Sequence, residues 1–414
     1  MKRRAFIRAA TLTAAVIATP VLRAARARIV IVGGGFGGSA CALLLKHAQP
    51  SLDVTLVDPD ARYVTCPLSN DVIVGARSID SLTLTRAGLA RAGVRFVRAR
   101  ATALDAEARS IRLDDGTRLA YDRCIVAPGI RFLWGTPEGY DEAAAETMPH
   151  AWEAGTQTTR LADRLRAMPD GGTFAISVPS GLMRCPPAPY ERASLVAEYL
   201  ARHKPRSKVL IFDANNRFPR QEAFTTAWDT LYRGRIEWIP VTEGGAVERV
   251  DVRAGTLHTS NGAHRVAVAN VIPPQAPGQF ALDAGLASGH GWCPVDPATF
   301  ASTRVPHVHV IGDACIADAM PKAASAALGQ ARQCAAAIVA SLAGREPPEP
   351  AFESVCYSAL ALDRAFAIRL RFRVANGHVE AEPNASEADS TPSVAEREAA
   401  ARWYRSIRAA AFAA

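Results

Sequence analysis

After a basic N-terminus, the first strong pattern of apolar positions is the β-branched run Arg28 to Val32, which ends in Gly33-Gly34-Gly35-Phe36-Gly37-Gly38. A helix-like stretch from Ser39 to His47 follows, then a second apolar run, Asp53 to Val57, closed by Asp58. Short unbroken apolar runs bounded by turn residues predict strands covered on both faces, so the segment predicts a βαβ unit. Its glycines carry the dinucleotide fingerprint. Gly33 allows the tight turn, Gly35 lets the backbone approach a pyrophosphate, Gly38 permits close helix packing, and the helix N-terminus faces the negative charge. Asp58 lies where a carboxylate accepts ribose hydroxyls.

A second α/β pattern runs through strand Thr173 to Val178, helix Tyr190 to Ala201 and strand Lys208 to Phe212, ending at Asp213. The loop after its first strand, Pro179 to Pro187, has no G-x-G-x-x-G and is stiffened by proline. A Rossmann-like domain that does not bind nicotinamide nucleotide is therefore expected. Beyond Gly344 the composition shifts to a C-terminal region with a strand over Ile368 to Val374, a polar stretch over 383–393 and an alanine-rich helix to the end. On that helix Val394, Ala399, Trp403, Ile407 and Ala411 share a face that is mostly alanine, a poor membrane anchor. Packing on the protein's own core is expected, without stable membrane insertion.

The chain has 414 residues, 49% hydrophobic and 21% charged, which excludes disorder, collagen and a disulfide mini-scaffold. Of the net charge of +8, the leader contributes six through Lys2, Arg3, Arg4, Arg8, Arg23 and Arg26, so the basic balance says little for nucleic acid, and none is expected. Residues 1–27 resemble a twin-arginine export signal, and their apolar stretch, Ala9 to Leu22, is shorter than the roughly 20 residues that span a bilayer. The expected destination is the periplasm, where disulfides persist. No two of the eight cysteines are close enough for C-x-x-C, so neither a zinc site nor a C-x-x-C-H haem site is expected, and the histidines show no ligand spacing. Asn384-Ala385-Ser386 has glycosylation-acceptor spacing, to which no role is given.

Tyr121 to Gly129 resembles the strand and turn that close the FAD domain of flavoproteins with two dinucleotide-binding domains. Val308 to Asp313 resembles their second FAD motif, in which the aspartate, here Asp313, holds the ribityl chain. Met320-Pro321-Lys322 and a small-residue helical run, Ala323 to Leu342, come next. The resemblance implies that Lys322 and the helix N-terminus face the flavin pyrimidine edge. More specific are Thr65-Cys66-Pro67-Leu68-Ser69-Asn70, Arg184 to Ser194 (R-C-P-P-A-P-Y-E-R-A-S), Gly291-Trp292-Cys293-Pro294-Val295-Asp296, Ile311-Gly312-Asp313-Ala314-Cys315, Cys356-Tyr357-Ser358 and Trp403-Tyr404. In these the chain closely resembles the flavoprotein subunit of flavocytochrome c sulfide dehydrogenase.

The resemblance implies an α/β architecture of glutathione-reductase type: two Rossmann-like dinucleotide-binding domains plus a C-terminal α+β interface domain. The flavin domain would comprise residues 28–140 and 266–344, the inserted domain 141–265 and the C-terminal domain 345–414. It implies FAD bound covalently through Cys66, a redox disulfide between Cys185 and Cys356, Glu191 as proton acceptor and Trp403 as a wall of the site. Sulfide would be oxidised to zero-valent sulfur or polysulfide, with electrons passing to a c-type cytochrome subunit. Each residue also has a plainer reading. Cys66 can be an inert buried thiol, Cys185–Cys356 a stabilising disulfide, Glu191 a helix N-terminal acid, Trp403 core packing and 323–342 a core helix. Cys293 has no assigned role, and Cys41, Cys124, Cys315 and Cys334 read as small hydrophobes on strands and helices. The alternative functions are a sulfide:quinone oxidoreductase, an NAD(P)H-dependent disulfide reductase, and an accessory protein of sulfur oxidation that keeps flavin only as structure.

Overall fold

The β-branched runs form the buried interior of two parallel sheets. The computed structural model describes residues 26–287, 291–382 and 391–413. The leader through residue 25 and the Asn384-Ala385-Ser386 triplet lie outside the described residues. The chain opens with β1 (Arg28–Val32), α1 (Phe36–Ala48) and β2 (Asp53–Val57), followed by β3 (Arg95–Val97) and β4 (Arg123–Val126). It then builds β5 (Thr173–Val178), α2 (Ala188–His203), β6 (Lys208–Asp213), β7 (Ile236–Ile239) and β8 (Val268–Val271). It returns through β9 (Val308–Val310) and α3 (Ala324–Leu342). The last elements are β10 (Ala351–Ala361), β11 (Arg364–Ala375), β12 (His378–Ala381) and α4 (Val394–Phe412).

The first sheet has the order β9-β4-β1-β2-β3 and every pair is parallel. In β1 and β2 only the leading Arg28 and Asp53 are exposed, which is why their sequences read as continuous apolar runs. The carboxyl ends of β1, β4 and β9 release Gly33, Gly129 and Asp313 on one side of the sheet, where ligands of open α/β sheets bind. Gly33 sits at φ +97°, and a side chain there would collide with the Ala127 carbonyl. The second sheet has the order β7-β6-β5-β8, also parallel, and the third, β10-β11-β12, is antiparallel.

Several boundaries differ from the sequence reading. Helix α1 starts at Phe36 rather than Ser39, because Gly38 must approach the Gly33 carbonyl so closely that a Cβ would collide with it. Helix α2 starts at Ala188, with proline in its first turn where no amide is needed. The inserted domain runs past residue 265: β8 pairs with β5, and this short run gives no sign in the sequence of which sheet it joins. The buried face of α4 is Ala400, Tyr404, Ile407, Ala411 and Phe412, whereas Val394 is 50% exposed. The face turns because the Tyr404 hydroxyl meets Thr65 Oγ1 at 2.6 Å and Arg397 donates twice to Asp71 at 2.8 Å, so polar contacts choose the buried side. No helix of the described residues is long and apolar enough to cross a membrane.

The end of α4 lies against Gly88, where an added Cβ would collide with the Phe412 carbonyl. Gly88→Ala is expected to cost about 1–3 kcal/mol of stability, typical of overpacking, and to speed proteolysis of the C-terminal helix. Urea titration and limited proteolysis read both; a variant as stable as the parent would show that α4 does not dock there.

Candidate active site

At the carboxyl ends of the first sheet lies a cavity enclosing about 1160 Å³ of space, counted out to open solvent. The start of α1 contributes Gly35 and Phe36, and the loop after β2 contributes Tyr63 and Cys66 to Asn70. Gly129, Asp313 and the N-terminal turn of α3 form another wall. Arg184, Cys185 and Glu191 enter from the inserted domain, and Cys356, Tyr357 and Trp403 from the C-terminal region. Of the residues named from sequence, the fold thus brings Gly35, Cys66, Gly129, Cys185, Glu191, Asp313, Cys356 and Trp403 to one cavity. Gly33, Gly38, Asp58 and Lys322 stand outside its lining.

Cys185 sits at φ +50°, left-handed backbone that costs a non-glycine residue on the order of 1 kcal/mol. Its N–H donates to the Lys322 carbonyl at 2.8 Å and its carbonyl accepts from Ala188 at 2.9 Å, which fixes the approach to α2. Cys356 projects from β10, opposite Ile368 of β11. Both are free thiols here. Burial pushes the Cys185 thiol well up, and negative charge on Cys356, Glu191, Cys66 or Asp313 pushes it further.

Glu191 lies in the first turn of α2 and accepts from Asn70 Nδ2 at 3.1 Å. Burial pushes its carboxyl up to about 7; the Asn70 hydrogen bond and Arg397 resist, and Asp71 adds to the rise. Asn70 is itself held, since its Oδ1 accepts from Arg192 Nε at 3.0 Å. Arg192 is buried and also donates to the carbonyls of His150 at 3.2 Å and Ala151 at 2.8 Å, and to Asn270 Oδ1 at 2.6 Å. Desolvation lowers the Arg192 pKa to about 10, so the guanidinium stays charged at neutral pH. Arg184 Nε donates to Asp313 Oδ2 at 2.6 Å, and its Nη1 lies 3.9 Å from Cys66 Sγ. Burial alone would lower the Arg184 pKa, but Asp313, Cys66 and Tyr63 reverse the direction.

Lys322 does not face the cavity. Its ammonium donates to the carbonyls of Asp313 at 2.7 Å and Cys315 at 3.0 Å and lies 3.7 Å from the Trp292 ring centre, so it clamps the loop that carries Asp313. Asp58 accepts from Gly34 N at 2.6 Å and pairs with the buried Arg86 at 3.3 Å. Cys293 is fully buried and bonds through its backbone to Ala314 and Ile316, which gives it a packing role. Cys41, Cys124, Cys315 and Cys334 are buried too, although Cys315 follows a 3-10 turn rather than lying in a strand or helix. Asn70, Arg184 and Arg192 carry no assigned role in the sequence reading, although all three lie in the quoted motifs, Arg184 directly beside Cys185 and Arg192 directly beside Glu191. Nothing local to Arg86 marked it.

The residues fit an elongated dinucleotide carrying an aromatic ring. The N-termini of α1 and α3 both open on the cavity with no acid in the first turn, leaving their positive ends free for anionic groups. The backbone at Gly35 is open, the nearest atom to an added Cβ being Tyr63 OH at 3.6 Å. Among the described residues no group of three or more His, Cys, Asp or Glu could hold a metal ion.

Residues 158–273 match the family "Sulfide dehydrogenase [flavocytochrome c] flavoprotein chain, central" and residues 348–412 match "Flavocytochrome c sulphide dehydrogenase, flavin-binding". Residues 27–158 match "Pyridine nucleotide-disulphide oxidoreductase". The sulfide dehydrogenase [flavocytochrome c] flavoprotein chain of Chlorobaculum thiosulfatiphilum is 56% identical over 45 residues, 11% of this chain and 94% of that one. The mitochondrial sulfide:quinone oxidoreductase of Mus musculus is 23% identical over 307 residues, 69% of this chain. The chain spans 65% of the length of the mouse enzyme. The crystal structure of the sulfide:quinone oxidoreductase from Aquifex aeolicus superposes with a TM-score of 0.73 at 16% identity, covering 94% of this chain and 93% of that one, which shows a shared fold.

Glu191 supplies a stability test. Its folded pKa of about 7 exceeds the ordinary 4.5, so between these values the folded state holds more protons than the unfolded state, and stability falls as pH rises through the window. The slope is at most about 1.4 kcal/mol per pH unit. Glu191→Gln is expected to flatten it, measured by denaturant titration at several pH values across the window. An unchanged slope in the variant would place the carboxyl in an ordinary, solvated state.

Proposed function

Because the chain belongs to the family of flavoprotein chains of flavocytochrome c sulfide dehydrogenase, we propose that it oxidises sulfide and passes the electrons through FAD to a c-type cytochrome subunit. The observation that carries this reading is the meeting of Cys66, Cys185, Cys356 and Glu191 on one cavity at the nucleotide-binding end of the first sheet. The turn at Gly33 to Gly35 and the N-terminus of α1 would hold the pyrophosphate and Asp313 the ribityl chain, with Cys66 as the thioether attachment; Asp58, whose carboxylate is taken by the Gly34 and Asp60 amides and Arg86, would hold the ribose only by exchanging one of these partners. FAD supplies a two-electron acceptor for the thiols that can release electrons singly to a haem.

The chain's own residues provide the sulfur chemistry. In the oxidised protein Cys185 and Cys356 are joined, and hydrosulfide attacks one sulfur; a new S–S bond forms, the old one breaks and the other cysteine leaves as a thiolate. Glu191, whose pKa burial raises to about 7, accepts the proton that activates the nucleophile. Trp403 closes the cavity from α4, and sulfur leaves at the zero-valent level as persulfide or polysulfide. This reading includes twin-arginine export to the periplasm. The quinone-reducing alternative is favoured by the matches to sulfide:quinone oxidoreductases and is separated by the choice of acceptor. Against a nicotinamide-driven reductase stands Asp213, whose carboxylate is taken by Tyr190 OH at 2.6 Å, Trp238 Nε1 at 2.9 Å and Asn215 Nδ2 at 2.8 Å.

Cys185→Ser and Cys356→Ser should each bind flavin yet lose sulfide-driven bleaching by about three orders of magnitude or more, read by anaerobic stopped-flow absorbance. With the parent, c-type cytochrome rather than a short-chain quinone should be the efficient acceptor. Bleaching that persists in both variants would remove the disulfide role, and faster turnover with quinone would establish the alternative acceptor.

Acid precipitation tests the attachment. Flavin is expected to stay with the protein and to appear, after digestion, on the peptide containing Cys66. Flavin released to the supernatant would show that Cys66 makes no covalent link.

A further inference from the structure

Alternation along β10 places Ser354, Cys356 and Ser358 on the same side of the strand, opposite the apolar Leu370, Ile368 and Phe366 of β11. Burying hydroxyls among apolar neighbours is costly unless they are hydrogen-bonded. Ser354 is 1% exposed, and its Oγ lies 2.8 Å from Oγ of Ser325, itself buried in the first turn of α3. Ser325 Oγ in turn lies 3.3 Å from Cys356 Sγ. Ser354, Ser325 and Cys356 thus form a chain of two hydroxyls ending on one sulfur of the proposed redox pair.

Either hydroxyl of the pair can donate, but one direction suits a charged sulfur. Ser354 O–H donates to Ser325 Oγ, and Ser325 O–H donates to Cys356 Sγ. Cys185 has no counterpart, because among the described residues no side chain donates a hydrogen bond to its sulfur; Glu191, Asp313 and Cys66 oppose its ionisation, and the Arg192 guanidinium acts in the other direction. Glu191 on α2 and Cys185 are the ionisable groups facing Cys356, α3 offers Ser325, and Trp403 lines the cavity from α4. Burial raises the Cys356 thiol and Glu191 adds to that, while Ser325 and Ser354 pull it back.

We propose that Ser325, held by Ser354, is the donor that receives the negative charge of Cys356 when the Cys185–Cys356 bond opens, and that it thereby directs hydrosulfide to the sulfur of Cys185. The inference rests on the reading of these two cysteines as the redox pair. Attack of hydrosulfide on Cys185 Sγ forms the persulfide S–S bond and breaks the bond to Cys356. The electron pair of the broken bond stays on Cys356 Sγ, and the proton carried by the attacking sulfur stays on the persulfide. A disulfide sulfur is a weak acceptor and a thiolate a strong one, so the hydroxyl contributes mainly as charge develops. Ser325 is a catalytic residue in this sense, and Ser354 a positioning residue.

The test uses the full-length, flavin-loaded protein carrying Cys185→Ser, in which Cys356 is alkylated by iodoacetamide across a pH series and quantified on its peptide by mass spectrometry. Adding Ser325→Ala should raise the pH of half-maximal rate by about one unit, so that alkylation below both values slows about tenfold. Ser325→Thr should retain the parent profile, and Ser354→Ala, which leaves Ser325 in place, should shift it part of the way. In the protein with both cysteines, less than one equivalent of sulfide should leave trapped sulfane sulfur on the Cys185 peptide. A profile unmoved by both alanine variants, a threonine variant as slow as the alanine one, or sulfane sulfur on Cys356 would overturn the proposal. Alkylation needs no turnover, so a shifted profile in a protein that does not oxidise sulfide would refute the proposed function while leaving the donor in place.

Discussion

One buried cation organises the site. Arg192 is 2% exposed, and its four hydrogen-bond acceptors are all neutral: Asn70, His150, Ala151 and Asn270. Taking a guanidinium out of water costs several kcal/mol, which these four hydrogen bonds offset. Satisfying that one group therefore draws together the loop after Cys66, the segment that carries Trp152 and the β8 strand of the inserted domain. Asn270 completes the arrangement by donating to the carbonyls of Pro149 and His150 at 2.7 Å each. Because Arg192 takes the Asn70 carbonyl, the amide nitrogen of Asn70 must face Glu191, which sets the orientation of the carboxyl.

The inserted domain keeps the topology of a nucleotide-binding unit but fills its ligand crevice with its own side chains. Asp213 stands at the end of β6, where a ribose-binding acid would stand, and its oxygens are occupied by Tyr190, Trp238 and Asn215. Tyr190 stacks on Phe218 at 3.7 Å, and Phe224 and Trp228 extend the cluster. Tyr190 immediately precedes Glu191 on α2, so the aromatic plug anchors the helix turn that presents the carboxyl and Arg192. The packing around Asp213 is thus the same packing that anchors the first turn of α2.

Local pattern made some of this readable in the sequence. The limits of β1, β2, β5 and β6 follow from apolar runs because those strands are buried on both faces. The cysteines and Glu191 were visible through motifs of unusual residues. The groups that tune them were not, because their partners lie far along the chain: Arg184 and Asp313 are 129 positions apart, and Arg192 and Asn70 are 122 apart. Lys322 shows the converse. A lysine beside a flavin motif suggests a contact with the ring, but three-dimensional packing sends its ammonium to two carbonyls and the Trp292 ring. The buried side of α4 is hidden for a similar reason, since an alanine-rich helix has little hydrophobic contrast and the outcome falls to Tyr404 and Arg397.

That choice bears on chemistry. Asp71 is 4% exposed on its side chain and receives both bonds from Arg397, and Arg77 Nε also pairs with it at 3.7 Å. Removing one partner of such a pair leaves a buried charge and costs about 3–5 kcal/mol. Helix α4 is thus held as a fixed wall. Its far end is held by Phe412, which lies in ring contact with Phe36 and Tyr63 on either side of the nucleotide turn. With α4 pinned at both ends, Trp403 is held against Tyr357 in the lining of the cavity. Burial is what lifts Glu191 toward neutrality, with Asp71 adding to the rise and Arg397 opposing it. The carboxyl on α2 therefore feels both members of an ion pair it does not touch, one of them carried by a helix from the opposite end of the chain.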